Sequence, residues 1–353
     1  MIEAEPSGFF DVTLIIPFFN EEKNLAATLD SLVHQNLGNY KAEILLMNGK
    51  STDLSTEIAE SVNGNNSVMF KMTENIKKSA SAGLNLGISL AQSDIIGFGG
   101  AHAIYPPLYL LTAIELISTN KFDAVGGRCS EYSSANEGII AQAMTMLYQS
   151  PLGAGARRLH RQKEKGYAST VFGGFYKKEI FLNCGGYDET LIRGQDIDFA
   201  MRIRQAGYRI YYHPDMNVKY LVRTEPSVFF SRSYKTGRSI SDIFVKRGEF
   251  PSLHYLVPLV FDLYLVLYLT VSILGQVRLW LLAPIMAYIL LLIGSAIVLL
   301  RKARPLVAFA TIPVFACYHI TYGLGVASGY LKRLLRWCLS RSLNILDRKA
   351  KAE

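Results

Sequence analysis

VTLIIPFFNEEKNLAATLDSL, residues 12–32, changes its period midway, and that change decides the fold. VTLII (12–16) is a continuous apolar run of strand length. From Leu25 onward the apolar residues Leu25, Leu29, Leu32 and Val33 recur at helical spacing, with Asn20 expected as the cap. A buried strand leading through a polar turn into an amphipathic helix is half of a βαβ unit. The theme repeats in EILLM (43–47), VMFKM (68–72) and DIIGF (94–98), with helical segments at 54–62 and 77–91 between them. Strands alternating with helices of this length predict an α/β fold with a mostly parallel sheet covered on both faces. Ligands bind such sheets where the carboxyl ends of strands emerge, so loops 17–21, 48–53 and 99–106 are the ones to carry function. Beyond residue 122 come a strand-like FDAVGGRCS, a helix near 136–148 and a further helix at 195–206. The basic loop GAGARRLHRQKEKG (153–166) between them reads either as a mobile active-site element or as a solvated connection.

Hydropathy separates this region from the rest of the 353-residue chain. From Leu256 the sequence becomes long apolar runs at 256–275, 279–300 and 306–331, each long enough for the roughly 20 residues a helix needs to cross a bilayer. Only the first carries an acid, Asp262, expected to reach toward the interface or a neighbouring helix. The organisation expected is an α/β domain at 1–250, a transmembrane region of two to three spans at 251–331, and a basic amphipathic tail at 332–353. Pro313 and several glycines leave the third run open between a full span and a re-entrant or interfacial element.

The net charge of +8 gathers beside these runs, at Arg232, Lys235, Arg238, Lys246 and Arg247, at Arg301, Lys302 and Arg304, and at Lys332, Arg333, Arg336 and Arg341. Basic residues favour the cytoplasmic side and anionic headgroups. The amino terminus, MIEAEPSGFF, lacks the basic-then-apolar pattern of a secretory signal, so the first domain is expected on the cytoplasmic face of the inner membrane. Nucleic acid is excluded as a partner because no basic and aromatic residues interleave on a recognisable module. The four cysteines, scattered without metal-ligand spacing, read as inert thiols.

Four stretches carry a resemblance: VTLIIPFFNEEKNLAATLDSL, EILLMNGKSTD (43–53), ASAGLNLGISLAQSDII (80–96) and GGYDETLIRGQDIDFAMRIRQAGYRIYYHP (185–214). Over about residues 10–240 the chain resembles family 2 glycosyltransferases of the GT-A fold, in particular the membrane-attached transferases of succinoglycan and exopolysaccharide synthesis. The resemblance implies a nucleotide-diphospho-sugar transferase fold, Rossmann-like, with C-terminal transmembrane helices. The activity it implies is inverting transfer from a nucleotide-sugar donor, a UDP-sugar first, to a lipid-linked or polysaccharide acceptor. Other polysaccharide-assembly proteins are the partners that group suggests.

Carried over position by position, the resemblance puts Pro17, Phe19, Asn20 and Glu21 in the nucleotide pocket, with Glu21 near base or ribose. The family's D-G-G-S-T-D loop reads here Asn48-Gly49-Lys50-Ser51-Thr52-Asp53. Asn48 would face the nucleobase through its carbonyl. Lys50, Asp53, Lys78, Asn85 and Gly100 complete the implied donor-binding set. A third loop in the family holds a divalent cation, Mn²⁺ or Mg²⁺, with an acid, a spacer and an acid or histidine; here the pair is Gly100 and His102, leaving His102 as the one candidate metal ligand. The family's Glu-Asp pair reads Gln195-Asp196, with Asp196 matching the catalytic base. Gln195, Arg193 and Arg238 are implied for acceptor and diphosphate, Arg238 from a stretch (235–239) that echoes a Q-x-x-R-W element.

Three expected acids, at positions 48, 100 and 195, are therefore replaced by groups without negative charge. A Lewis-acid cation contributes several kcal/mol to departure of a diphosphate, so its loss needs compensation. Lys50, Lys77, Lys78 and Arg193 offer fixed positive charge, and Gly99-Gly100 a backbone nest for phosphates. The sequence thus leaves two readings: an active transferase, with or without metal, and a catalytically impaired relative that binds donor or partner transferases.

Overall fold

A computed structural model describes residues 10–119, 121–132, 137–150, 152–153, 164–249, 253–275 and 278–350, the last 17 residues (334–350) by their backbone alone. Most of the predicted loop 153–166, the turn at Gln276–Arg278 apart from Arg278, and the side chains of the predicted tail beyond Arg333 fall outside the described residues. The chain divides into two compact units, Met1–Asn136 with Ala154–Thr190 and Gln195–Val222, and Glu137–Gly153 with Leu191–Gly194 and Arg223–Glu353.

The first unit begins with β1 (Val12–Phe18), α1 (Leu25–Val33), β2 (Ala42–Asn48), α2 (Ser55–Ser61), β3 (Val68–Glu74), α3 (Ala80–Leu90) and β4 (Ile95–Phe98). β1 pairs in parallel with β2 and β4, and β2 with β3. The residue parity of these strands sorts the core into two halves. Leu14, Ile16, Ile44 and Leu46 face one way and pack with Leu25 and Leu29 of α1. Ile15, Leu45 and Met47 face the other way and pack with Leu84 of α3. A strand buried on both faces must be apolar at every position, which is why β1 and β2 read as unbroken apolar runs.

The chain continues through β5 (Ala103–Ile104), α4 (Tyr109–Ser118), β6 (Ala124–Gly127), β7 (Cys129–Tyr132), α5 (Ile139–Gln149) of the second unit, β8 (Gly166–Ala168), β9 (Phe172–Lys177), α6 (Lys178–Cys184), α7 (Gln195–Gln205), β10 (Ile210–Tyr212) and β11 (Val218–Leu221). The main sheet has the order β3-β2-β1-β4-β9-β6-β10-β8, and β5-β11-β7 form a second, three-stranded sheet. β9 runs antiparallel to both β4 and β6, and β8 antiparallel to β10, so the parallel sheet turns mixed beyond β4.

Two local expectations are corrected. Helix α1 starts at Leu25 behind Asn24, which makes no side-chain cap hydrogen bond, and Asn20 is not the cap. FDAVGGRCS is two strands in different sheets, and between them Gly127 lies against the Met216 carbonyl, a closeness that leaves no room for a Cβ.

Gly97 of β4 stands opposite Phe175 of β9, and an added Cβ would lie 2.2 Å from Cε1 of that ring. Gly97→Ala is expected to destabilise the protein by about 1–3 kcal/mol through overpacking. Gly100→Ala, whose Cβ would stop 3.6 Å from Tyr220 Cε2, is the control. Thermal denaturation of the detergent-solubilised chain reads the difference.

In the second unit, α8 (Pro226–Arg247), α9 (Val257–Ile273), α10 (Ala283–Leu299) and α11 (Pro305–Ala350) follow α5. Three helices are long and apolar enough to cross a membrane, at Leu253–Ile273, Leu279–Leu299 and Pro305–Arg333. The third run is one continuous helix through Pro313 and on to Ala350 rather than a broken element. Residues 223–249, expected with the α/β domain, group with these helices. The reason is close packing of small residues. Gly237 of α8 lies on the Tyr322 carbonyl of α11, Gly325 on the Tyr234 carbonyl, and Gly329 on Ser241, each too close for a side chain. Ser233 Oγ donates to the Tyr318 carbonyl at 2.9 Å. Asp262 does reach a neighbouring helix, lying buried against Gly323 of α11.

Candidate active site

Each of the first three strands is followed by a non-glycine residue in the left-handed region: Asn20 (φ 52°) after β1, Lys50 (63°) after β2 and Lys78 (57°) after β3. No other non-glycine residue among the described ones has positive φ. That conformation costs an L-residue of order 1–2 kcal/mol and persists only where the surroundings over-determine it. All three lie at the carboxyl ends of parallel strands, where such sheets bind ligands.

What over-determines Asn20 is a clasp between the β1–α1 and β2–α2 loops. Asn20 N–H donates to Ser51 Oγ at 3.1 Å, its Nδ2 to Thr52 Oγ1 at 3.3 Å, and its Oδ1 accepts from Thr52 N–H at 2.9 Å. Glu21 N–H donates to Ser55 Oγ at 2.7 Å, Glu22 N–H to Asp53 Oδ2 at 3.1 Å, and Leu54 N–H to Glu22 Oε2 at 3.2 Å. Asp53 also accepts from Ser55 N–H. Desolvation opposes the charged form of Asp53, but these hydrogen bonds, Ser55 and Glu22 foremost, hold its carboxyl below the usual range. Asn20→Ala removes the side-chain hydrogen bonds of the clasp and keeps a Cβ in the left-handed region, whereas Asn20→Gly removes the same bonds and relieves that strain. The alanine variant is expected to be less stable than the glycine variant by about 1 kcal/mol, measured by chemical denaturation.

The remaining donor-side residues divide by what their side chains do. Pro17 sits within β1, and Phe19 follows it 48% exposed. Asn48 is buried and spent on its own loop, its Oδ1 accepting from Ser51 N–H at 2.9 Å and its Nδ2 donating to Thr56 Oγ1 at 3.0 Å. Lys50 pairs with Glu74 at 3.1 Å in solvent, and Lys78 is exposed. Asn85 on α3 anchors the loop after α6: its Nδ2 donates to the Tyr187 carbonyl and Glu189 Oε1, and its Oδ1 accepts from Tyr187 N–H. Lys77 closes the same loop through Glu189 at 2.8 Å.

At the end of β4 the backbone offers no nest for phosphates. Gly99 N–H donates to the Ile15 carbonyl at 2.9 Å, and Gly100 N–H to the Tyr105 hydroxyl at 2.7 Å. Tyr105 returns a hydrogen bond to the Gly100 carbonyl at 3.1 Å, and burial pushes its hydroxyl far above the usual tyrosine range. A Cβ on Gly99 would strike that hydroxyl, so position 99 takes no side chain. Gly100 has room, facing the ring of Tyr220 on β11.

His102 lies in a buried relay. Its Nδ1 is 3.1 Å from Glu21 Oε1 and its Nε2 is 2.5 Å from the Tyr220 hydroxyl. Burial pushes the imidazole down, and Tyr220 and Glu21 together outweigh it, leaving the ring above its ordinary range. The cation implied by the resemblance does not fit these residues. Position 99 is blocked, position 100 has no carboxylate, and both nitrogens of His102 are already hydrogen-bonded. No group of three histidine, cysteine, aspartate or glutamate side chains converges as a metal site among the described residues.

Asp196 is exposed in the first turn of α7, and no side-chain hydrogen bond or ion pair holds it among the described residues. It lies close enough to Tyr176 and Tyr187 to reinforce burial in keeping their hydroxyls protonated. Its backbone is fixed by a buried neighbour. Asp198, fully buried, accepts from Arg202 Nε at 3.0 Å, and the Arg202 guanidinium donates to the Cys184 carbonyl at 2.5 Å and the Gly186 carbonyl at 2.7 Å. The i,i+4 spacing of Asp198 and Arg202 was a sequence signal for this pair. Nothing local announced Tyr220 or Tyr105. Beside Asp196, the buried Oε1 of Gln195 has no hydrogen-bond partner among the described residues. Arg193 and Arg238 belong to the second unit, where Gly194 packs on Ser239 and Ile243 of α8.

Residues 13–183 match the family described as Glycosyl transferase family 2. Over 328 residues the chain is 26% identical to a dolichyl N-acetyl-α-D-glucosaminyl phosphate 3-β-D-2,3-diacetamido-2,3-dideoxy-β-D-glucuronosyltransferase of Methanococcus voltae, spanning 91% of this chain and 97% of that protein. Over 250 residues it is 27% identical to the succinoglycan biosynthesis protein ExoA of Rhizobium meliloti (strain 1021), spanning 70% of this chain and 74% of the relative. The solved structure of mannosyltransferase PcManGT from Pyrobaculum calidifontis, in complex with GDP-Man and Mn²⁺, shares the fold with a TM-score of 0.59 at 18% identity, over 92% of this chain and 90% of that one.

Proposed function

We propose a reaction course for this chain from the premise that residues 13–183 are a family 2 glycosyltransferase domain and the chain is a glycosyltransferase acting on nucleotide-sugar donors. The reaction is a single displacement at the anomeric carbon with inversion. Asp196 accepts the proton of the acceptor hydroxyl as its oxygen bonds to that carbon, and the bond to the nucleoside diphosphate breaks, its electron pair leaving with the phosphate oxygen. The observation that carries this reading is the contrast between two acids in one helical turn: Asp198 is locked in the core by Arg202, while Asp196 is exposed and makes no side-chain hydrogen bond or ion pair among the described residues. A base that makes no internal hydrogen bond is available to an incoming hydroxyl, and a carboxylate is competent for that task at neutral pH once held within reach.

The clasped loops of β1 and β2 form the nucleotide wall in this reading, with Phe19 offering an exposed ring to the base and Lys50 and Lys78 offering charge to the diphosphate. Asn48 and Asn85 act through the loops they hold rather than by touching the donor.

A lipid-linked saccharide is the acceptor this reading favours. Support comes from the three long apolar helices and from the Methanococcus relative, whose name specifies a dolichyl-phosphate-linked sugar. The basic residues flanking those helices support a cytoplasmic placement of the α/β unit. The full chain, purified in detergent, is to be incubated with a panel of UDP-sugars and GDP-mannose together with membrane lipid extract. Release of nucleoside diphosphate that depends on the lipid, with a glycolipid product, supports the assignment. Donor binding without any lipid-dependent release, across the panel, counts against it.

A further inference from the structure

We infer that the donor site works without a divalent cation, and that the Glu21–His102–Tyr220 relay stands where the cation would, presenting the Tyr220 hydroxyl to the diphosphate of the donor. This rests on the transferase reading above.

The geometry excludes the usual ligand set one position at a time. Gly99 is sealed by the Tyr105 hydroxyl and takes no side chain. Gly100 does have the space for an acid, and the cradle its side chain would fill is bordered by the ring of Tyr220, 3.6 Å from the site of the missing Cβ. His102 holds Glu21 through one nitrogen and Tyr220 through the other. A metal bound to His102 would have to displace one of those partners from a ring whose side chain is 14% exposed, next to a Glu21 that is 7% exposed. Such a displacement leaves a buried polar group without its partner, at a cost a single imidazole bond to a metal has to overcome.

The charges are consistent with this arrangement. A cation on a diphosphate is needed most where carboxylates line the pocket, because they would otherwise repel it. Here the acids at 48 and 100 are absent, and Glu21, the carboxylate of the relay, is turned onto His102. Tyr220 is half-buried on β11 with its ring edge-on to Phe172 and His102, so the position of its hydroxyl is set by packing on two sides. With His102 protonated on both nitrogens, Nδ1–H donates to Glu21 and Nε2–H to the Tyr220 oxygen, so the single O–H of Tyr220, held in place by packing, is left as a preorganised donor to an anionic oxygen.

The test is calorimetric titration of the full chain in detergent with UDP, and in parallel with GDP, once in EDTA and once in MnCl₂. The expected result is binding of one of the two with an affinity that differs by less than about twofold between the two buffers. Tyr220→Phe keeps the ring and removes only the hydroxyl. It is expected to weaken the diphosphate by roughly ten- to a hundredfold, the loss of one hydrogen bond to a charged group, and to leave binding of the matching nucleoside, which lacks phosphates, unchanged. Gly100→Asp, filling the open cradle, is expected to make diphosphate affinity respond to Mn²⁺ and to give a bound-Mn²⁺ signal by electron paramagnetic resonance. Wild-type binding seen only with Mn²⁺ overturns the inference, as does a Tyr220→Phe chain that binds the diphosphate like wild type. Binding of neither UDP nor GDP in either buffer is a different failure, and it removes the transferase reading itself.

Discussion

Asp196→Asn is expected to lower sugar transfer by about 10²–10⁴-fold, the range a positioned general base contributes. Asparagine keeps the size of the side chain and its place in the first turn of α7, and loses only the ability to take a proton. Because Asp196 makes no side-chain hydrogen bond among the described residues, the change costs the fold little. Melting temperature and nucleoside-diphosphate affinity are therefore expected to match wild type while turnover collapses. Single-turnover transfer from a radiolabelled donor measures it, and transfer within a few-fold of wild type would move the base elsewhere. Removing one negative charge from the start of a helix costs at most about 1 kcal/mol. An effect on rate of two or more orders of magnitude is therefore not explained by the dipole.

Asp198→Ala has the opposite signature. Asp198 is completely buried and Arg202 14% exposed at the side chain, and the guanidinium also serves the carbonyls of Cys184 and Gly186. Breaking a buried pair from one side strands the other charge, at a cost of about 3–5 kcal/mol. The variant is expected to melt far below wild type or to fail to accumulate folded. The double variant Asp198→Leu/Arg202→Met removes both charges and is expected to recover much of that stability. It does not restore the donors to the loop after α6, so transfer is expected to stay low even where the fold returns. If instead the double variant transfers sugar at the wild-type rate, the pair holds the fold and has no part in positioning Asp196.

These two acids also mark how much of the site was legible beforehand. They are two residues apart, and pattern alone made both first-turn acids of one helix. Which faces the core depends on the phase of α7 against the sheet, fixed by Phe199, Ala200 and Ile203 packing with Ile180 and Ile210. The β1–β2 clasp was half visible: the two loops could be named from the strands they follow, but not that Asn20 would bind Thr52, 32 residues away, instead of capping its own helix. Asn48 and Asn85 were named for the donor, yet each spends its amide on protein. A side-chain amide buried near unsatisfied backbone groups is captured by them first.

By itself the sequence determined the alternation of strands and helices, the sheet buried on both faces, the apolar helices at the C-terminal end, and the match of residues 13–183 to the glycosyl transferase family 2. Each of these is carried by a period of two or 3.6 residues, by run length, or by contiguous motifs, all properties of neighbours along the chain. The tertiary structure alone decided that His102 is shared between Glu21, 81 residues before it, and Tyr220, 118 after. It also decided that α8 lies with the apolar C-terminal helices through Gly237, Gly325 and Gly329. Those outcomes depend on which surfaces meet when the elements pack. A hydrogen bond between side chains so far apart in sequence leaves no local pattern in the chain.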